Sequence, residues 1–104
     1  MVKKMMTSTN RIRKAIVKAT GTKGEWRPGD KGLRFGKGGD VPASGWFTGG
    51  ICAELTWNGS DHCLKRCSSL AAITLNGEKL KTEAFLSDGD QFSIGKSNFQ
   101  YRSS

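Results

Sequence analysis

The sequence lacks the features that would place the chain in a membrane or on the secretory route. No apolar run among its 104 residues is long enough to span a bilayer. The N-terminus is basic, but the apolar core of a signal peptide does not follow it. The length corresponds to one domain that can bury its own core, and a hydrophobic content of 36% predicts a folded chain. We therefore expect a small folded protein in the cytoplasm.

Side chains suited to catalysis or metal binding are also scarce. The chain has three cysteines and one histidine, and an odd cysteine count without a signal peptide indicates reduced thiols. His62, Cys63 and Cys67 are close in sequence, but a zinc site takes four ligands and Cys52 is a distant fourth. Adjacent strand residues point to opposite faces, so His62 and Cys63 could not act together as base and nucleophile. No paired carboxylates stand out. We predict neither an enzyme nor a protein with a metal or another cofactor.

Acidic residues are absent from the first 24 positions, where seven Lys and Arg residues lie. The rest of the chain holds ten basic and nine acidic residues, so most of the formal net charge of +8 belongs to the N-terminal segment. Two interpretations stay open. The segment is either a solvated, partly disordered tail or an arm that contacts nucleic acid or another acidic partner without reading its sequence. The basic residues assigned to this arm are Lys3, Lys4, Arg11, Arg13, Lys14 and Lys18.

Short strands are indicated most strongly between residues 73 and 101. Asn76-Gly77 is the dipeptide that a tight β-hairpin favours, because both turn residues must accept positive φ. Residues 88–90, Asp-Gly-Asp, predict a second turn. Apolar and polar residues alternate over 92–94 and over 99–101, as they do in half-buried strands. This part of the chain therefore predicts a meander of antiparallel strands.

The preceding part of the chain shows the same alternation of strands and turns. Eleven of the fourteen glycines lie between Gly21 and Gly59. Residues 12–16 fit one turn of a helix capped by Thr9-Asn10, but the β-branched residues there favour a first strand. Strands are expected over about 13–19, 33–37, 51–57 and 62–67, with Trp26, Trp46 and Trp57 packed in or beside the core. The sequence thus predicts an all-β protein, with a basic arm over residues 1–12 and one β-sandwich domain over residues 13–104.

The order of motifs from residue 28 to residue 101 resembles that of the forkhead-associated (FHA) domain. FHA domains are β-sandwiches that bind phosphothreonine peptides at the loops of one apex. Leu75-Asn76-Gly77 and the segment 89–95, Gly-Asp-Gln-Phe-Ser-Ile-Gly, match the C-terminal motifs of that family closely. Phe35-Gly36-Lys37, Asp40-Val41 and the segment 49–55 stand in the order of its earlier motifs. The resemblance implies an FHA-like β-sandwich of short antiparallel strands that serves as a protein-interaction module.

The departures from the family pattern fall at its phosphopeptide-binding positions. Lys37 stands where the family has the arginine of a Gly-Arg motif, and Gly49-Gly50 stand where it has a Ser-Arg pair. Cys52 takes the place of a histidine, and Ala71-Ala72 take the place of an Asn-Gly pair. A dianion needs several directed donors, so these changes predict a retained fold with phosphothreonine recognition lost or altered. The partner-binding residues expected in or beside the apex loops are Arg34, Lys37, Thr48, Gly49, Gly50, Lys65 and Arg66.

Two other interpretations stay open from the sequence. Residues 60–94 also resemble the S4 RNA-binding domain, with a basic helix over 60–68 and a strand over 73–77, which would make the chain an RNA-binding protein. A basic arm joined to a nearly neutral sandwich also describes a structural subunit of a nucleoprotein or viral assembly. A protein partner, bound as a peptide or a surface, is the first expectation, and nucleic acid bound through the arm is the second. No membrane partner is expected.

Overall fold

Ten short strands form two antiparallel sheets in the computed structural model, which describes residues 15–45 and 50–103. The six-stranded sheet has the order β2-β1-β10-β9-β6-β7, and the four-stranded sheet has the order β3-β4-β5-β8. The strands are β1 Ala15–Ala19, β2 Glu25–Trp26, β3 Leu33–Gly36, β4 Ile51–Trp57, β5 His62–Arg66, β6 Ile73–Leu75, β7 Glu78–Lys79, β8 Glu83–Phe85, β9 Gln91–Ile94 and β10 Ser97–Ser103.

The predicted all-β sandwich is confirmed, and the S4-like alternative is wrong. That alternative required a helix over residues 60–68, but His62–Arg66 is a strand that pairs with β4 on one side and with β8 on the other. The residues of this segment alternate as a strand does and carry no helical apolar stripe, so β pairing is the arrangement that buries them. The described ranges contain no helix long and apolar enough to cross a membrane.

The Asn76-Gly77 turn forms as predicted and joins β6 to β7. Asn76 has φ 50° and Gly77 has φ 85°, which are the left-handed values that a two-residue hairpin requires. The Asn76 side chain also accepts the Gln91 N–H at 2.9 Å and donates to the Asp90 carboxylate at 3.1 Å. This turn therefore fixes the end of β6 against the chain that enters β9.

The core is centred on three phenylalanines that join the two sheets. Phe92 and Phe99, on adjacent strands of the six-stranded sheet, stack with ring centroids 5.3 Å apart. Phe35 from the four-stranded sheet meets both rings edge-on, at 5.5 and 5.3 Å. All three side chains are buried. Edge-to-face pairs add to the free energy of apolar burial, so this contact fixes the spacing and register of the sheets.

We predict that Phe35→Ala lowers the free energy of unfolding by about 3–5 kcal/mol, because the cavity lies between both sheets. Phe85→Ala is the matched control, since Phe85 is 61% exposed on the edge strand β8, and it should change stability by about 0.5 kcal/mol or less. Urea unfolding curves measure both values. Equal losses for the two variants would contradict this description of the core.

His62 is a buried residue of the sandwich, at the end opposite Asn98 and Gly95. Its side chain is fully buried, with Nε2 2.9 Å from the Gly29 carbonyl and Nδ1 2.7 Å from the Tyr101 hydroxyl. The carbonyl can only accept, so Nε2 carries a hydrogen, and in the neutral ring the Tyr101 hydroxyl donates to Nδ1. The two ring nitrogens of His62 thus connect the turn before β3 to β10. His62 therefore has a structural role, which its position next to Cys63 in the sequence did not indicate.

The first strand is an inner strand of the six-stranded sheet. It lies between β2 and β10, and Ala15 and Val17 are buried. This confirms the expected strand from residue 15 onward, while residues 13 and 14 and the arm over residues 1–12 lie outside the described residues. Lys18 belongs to this strand and is exposed opposite Glu25 and Gln100. Trp26 packs edge-on against Phe99 and Trp57 against His62, as expected; Trp46 is outside the described residues.

Two N-terminal truncations test the place of this strand. Removing residues 1–11 should leave the thermal midpoint close to that of the full chain, because this segment has little apolar surface to bury. Removing residues 1–20 deletes an inner strand with two buried side chains, so we expect a large drop in the midpoint or loss of folding. Equal midpoints for the two truncations would show that β1 does not belong to the core.

Candidate functional site

The turns that connect the strands at one end of the sandwich converge, and we call this end the apex. It consists of residues 20–24, 37–45, 50, 67–72 and 95–96. Backbone hydrogen bonds join these turns: Gly95 N–H donates to Ala72 O at 2.7 Å, and Lys96 N–H donates to Ser44 O at 2.6 Å. Thr20 N–H donates to Asn98 O at 2.8 Å, which attaches the first turn to the start of β10. Residues far apart in sequence therefore form one continuous surface.

Lys37 begins a short, closed loop that follows β3. Gly36 N–H donates to Val41 O at 2.9 Å and Val41 N–H donates to Arg34 O at 3.0 Å, so the chain leaves and returns at nearly the same place. A Cβ atom on Gly36 would lie 2.1 Å from Gly50 O, and only glycine permits this approach. The exposed Lys37 therefore lies beside the chain at Gly50. Both residues are among the predicted site residues.

Gly50 offers only its backbone to a ligand. It is exposed and has φ 82°, a conformation that costs an L side chain roughly 1–2 kcal/mol. An arginine at this position would be strained even though a Cβ atom there meets nothing within 4 Å. Thr48 and Gly49, the predicted residues that precede it, lie outside the described residues.

Arg34 and Lys65 lie together on the outer face of the four-stranded sheet. Both flank Glu54: the Arg34 Nε atom is 3.9 Å from the Glu54 carboxylate, and Lys65 is the cross-strand partner of Glu54. All three residues are at least partly exposed, so this charge cluster contributes little to stability. These two predicted site residues therefore lie one strand apart on the same face, with Glu54 between them partly offsetting their positive charge.

Arg66 is half-buried, and its guanidinium holds an apex loop. Nε donates to Leu80 O at 2.8 Å, and Nη1 donates to Ser68 O at 2.8 Å and to Ala71 O at 2.7 Å. Nη2 is buried and makes no hydrogen bond among the described residues. These contacts tie the loop over residues 67–72 to the turn that follows β7. The side chain that was expected to meet a partner therefore uses its donors on the backbone.

We predict that Arg66→Ala destabilises the protein by at least about 1.5–3 kcal/mol, because carbonyls at Leu80, Ser68 and Ala71 lose a charged donor. Arg66→Lys should be intermediate, since an ammonium cannot reproduce the planar fork of donors. Lys65→Ala is the control, as it removes a neighbouring exposed cation of the same strand. Urea unfolding gives the energies, and faster amide exchange over residues 67–72 should accompany the loss. An effect no larger than that of Lys65→Ala would show that the Arg66 hydrogen bonds do not hold the loop over residues 67–72.

Cys52, Cys63 and Cys67 are free thiols. The Cys52 carbonyl accepts the N–H groups of Cys67 and Ser68, at 2.8 and 3.1 Å. Burial raises the pKa of the Cys52 thiol, and the neighbouring Cys67 raises it further. Burial is also the main cause of the raised pKa values of Cys63 and Cys67. At neutral pH these groups are protonated and therefore poor nucleophiles. Within residues 15–45 and 50–103, no three His, Cys, Asp or Glu residues form a possible metal site.

Exposed basic residues from distant parts of the sequence lie together at the apex. Lys23, Lys37 and Lys96 are exposed at the apex. Asp40 is the one acidic residue among the described apex residues. Its carboxylate accepts a hydrogen bond from the backbone N–H of Arg34 at 2.9 Å. The turns and strand ends at the opposite end carry the acidic residues Asp30, Asp61, Glu78, Asp88 and Asp90, together with the basic residues Lys31 and Arg102, of which Arg102 pairs with Asp88 at 3.1 Å. The predicted site residues did not include Lys96, and Lys23 was counted only with the basic N-terminal segment. The Ile94-Gly95 motif marks the turn that displays Lys96.

Comparison with solved structures identifies the architecture. No protein-family model and no curated protein sequence matches this chain. Among solved structures, EmbR of Mycobacterium tuberculosis in complex with a low-affinity phosphopeptide superposes with a TM-score of 0.78, at 16% identity over 86% of this chain. The chain has the fold of an FHA domain. The FHA domain of the CT664 protein from Chlamydia trachomatis has a TM-score of 0.75, at 16% identity, with 88% of this chain and 98% of that one covered.

An FHA domain of an Arabidopsis thaliana protein is similar to the same degree, with a TM-score of 0.75 and 16% identity over 93% of this chain and 91% of that one. The chain spans 24% of the EmbR chain. The expected FHA-like sandwich is thus confirmed.

Proposed function

We propose that this FHA-like domain is a non-enzymatic protein-interaction module that binds a peptide or surface of a protein partner at the apex. The observation that carries the proposal is the convergence of the apex turns around exposed Lys23, Lys37 and Lys96. At the opposite end of the sandwich the described acidic side chains outnumber the basic ones. Such a field attracts an acidic partner and orients its approach. EmbR, which shares the fold, was solved in complex with a phosphopeptide, and this supports a peptide as the ligand.

Phosphothreonine recognition is altered in this proposal. Lys37 supplies a point charge where an arginine would supply a planar pair of donors. Gly50 supplies no side chain, and the residues at the Asn-Gly position of the family are Ala71 and Ala72. Two missing charge-assisted hydrogen bonds at roughly 1.5–3 kcal/mol each correspond to a loss of about 3–6 kcal/mol. That loss is a factor of roughly 10² to 10⁴ in affinity, so the apex should bind anionic segments by charge without strong preference for phosphothreonine.

A titration of the full chain with matched peptides tests this function. The probes are one peptide with threonine, the same peptide with phosphothreonine, and the same peptide with glutamate at that position. We expect measurable binding of both anionic peptides, affinities within about tenfold of each other, and weaker binding as salt rises. Lys37→Ala should weaken both complexes. Lys31→Ala is the matched control, since Lys31 is an exposed lysine of the turn at the opposite end.

Two results would contradict the proposal. A preference for phosphothreonine well above tenfold that persists at high salt would mean that a specific phosphate site exists. Binding of none of the peptides, together with RNA binding that disappears on deletion of residues 1–11, would instead favour a nucleic-acid role for the basic arm. In our proposal the arm contributes long-range attraction to an acidic protein partner, so its deletion should slow association with the anionic peptides more than it speeds their release.

A further inference from the structure

A concave site at one side of the apex includes none of the positions that correspond to the phosphate-binding positions of the FHA family. We call it the side pocket. Its volume is about 390 Å³, at the lower end of the range for ligand sites. It opens between the turn over residues 20–24, the segment over residues 42–44 and the β9–β10 turn. The apolar lining includes Trp26, Ala43 and Phe99.

The walls of the side pocket are fixed by hydrogen bonds. The Thr20 N–H and hydroxyl both donate to Asn98 O, at 2.8 and 3.2 Å. Ser44 N–H donates to the Ser97 hydroxyl at 3.0 Å, and Ser44 O accepts the Lys96 N–H at 2.6 Å. The Trp26 ring lies edge-on to Phe99 with centroids 6.2 Å apart. The cavity is therefore formed before any ligand arrives, which lowers the entropic cost of binding.

The polar groups at the side pocket indicate the chemistry of its occupant. Lys96 alone is charged among the described residues that line it, and it forms no ion pair with another described residue. The exposed Asn98 side-chain amide makes no hydrogen bond within residues 15–45 and 50–103. An aromatic or branched apolar group can cover the partly exposed Trp26 indole, while a carboxylate next to it can accept from Lys96 and Asn98.

We propose that the side pocket binds a peptide segment with an aromatic or branched aliphatic side chain adjacent to a carboxylate. This inference rests on the proposed function, because it assigns the segment to the protein partner that binds at the apex. The two sites share the apex turns, so one extended peptide or one protein surface can occupy both. The second contact would supply the selectivity that the altered phosphate positions cannot provide.

Two small probes test the site with the full chain. N-acetylphenylalanine carries the carboxylate, and N-acetylphenylalaninamide is its neutral counterpart. In amide NMR titrations we expect saturable shifts at Thr22, Ser44 and Asn98 with both probes, and roughly two- to fivefold tighter binding of the carboxylate. Lys96→Ala should equalise the two affinities. Ala43→Phe, which fills the pocket, should abolish both sets of shifts, and Lys37→Ala should change neither.

Asn98→Ala changes an exposed side chain and provides the test in case Ala43→Phe does not fold. It should weaken binding of the carboxylate probe. Shifts scattered away from these three amides, or equal affinities of the two probes for the natural chain, would overturn the side pocket while leaving the apex proposal intact. Shifts of the same amides with protein concentration alone would mean that a second copy occupies the pocket, which also overturns it. Probe binding at the pocket with no peptide binding at the apex would refute the proposed function instead.

Discussion

The contact of Phe35 with Phe92 and Phe99 is the constraint on which the rest of the molecule depends. The first ring comes from the four-stranded sheet and the other two from the six-stranded sheet, with centroids 5.3–5.5 Å apart. Each buried ring contributes roughly 1.5–3 kcal/mol through removal of apolar surface from water, and the edge-on geometry adds to this. Because the packing fixes how the sheets lie on each other, it also fixes which turns meet at the apex.

The apex tolerates unusual side chains because its shape is held by backbone groups and by Arg66. At Cys52, Ala71 and Ala72 the carbonyl oxygens accept hydrogen bonds from Ser68, Arg66 and Gly95 respectively. These backbone contacts do not involve the side chains that the family uses for phosphate, although Cys52 and Ala71 are buried and must stay small. The family's phosphate-binding side chains can therefore differ here without loss of the architecture, and the recognition chemistry can change independently of the core.

Much of the fold was predictable from the sequence, because alternation over residues 92–94 and 99–101 and the Asn76-Gly77 turn are local signals. The site was less predictable, because its contacts are long-range. Arg66 reaches Leu80 and Ser68 only once β5 and β7 are in place. From the sequence alone, a basic residue near the predicted loops therefore looked like a partner-binding side chain. Cys52 is on the same strand face as the partly exposed Glu54, yet it is fully buried, since the chain at Gly50 and Ser68 lies against it.

In our proposal the apex is the partner-binding surface of this FHA-like sandwich. Amide NMR mapping of a bound glutamate- or phosphothreonine-containing peptide tests it most directly. We expect the largest shifts at Lys37, Gly50, Ser68 and Lys96, with little change over residues 58–61 and 87–90. Shifts concentrated at that opposite end, or spread over the outer face of either sheet, would contradict it.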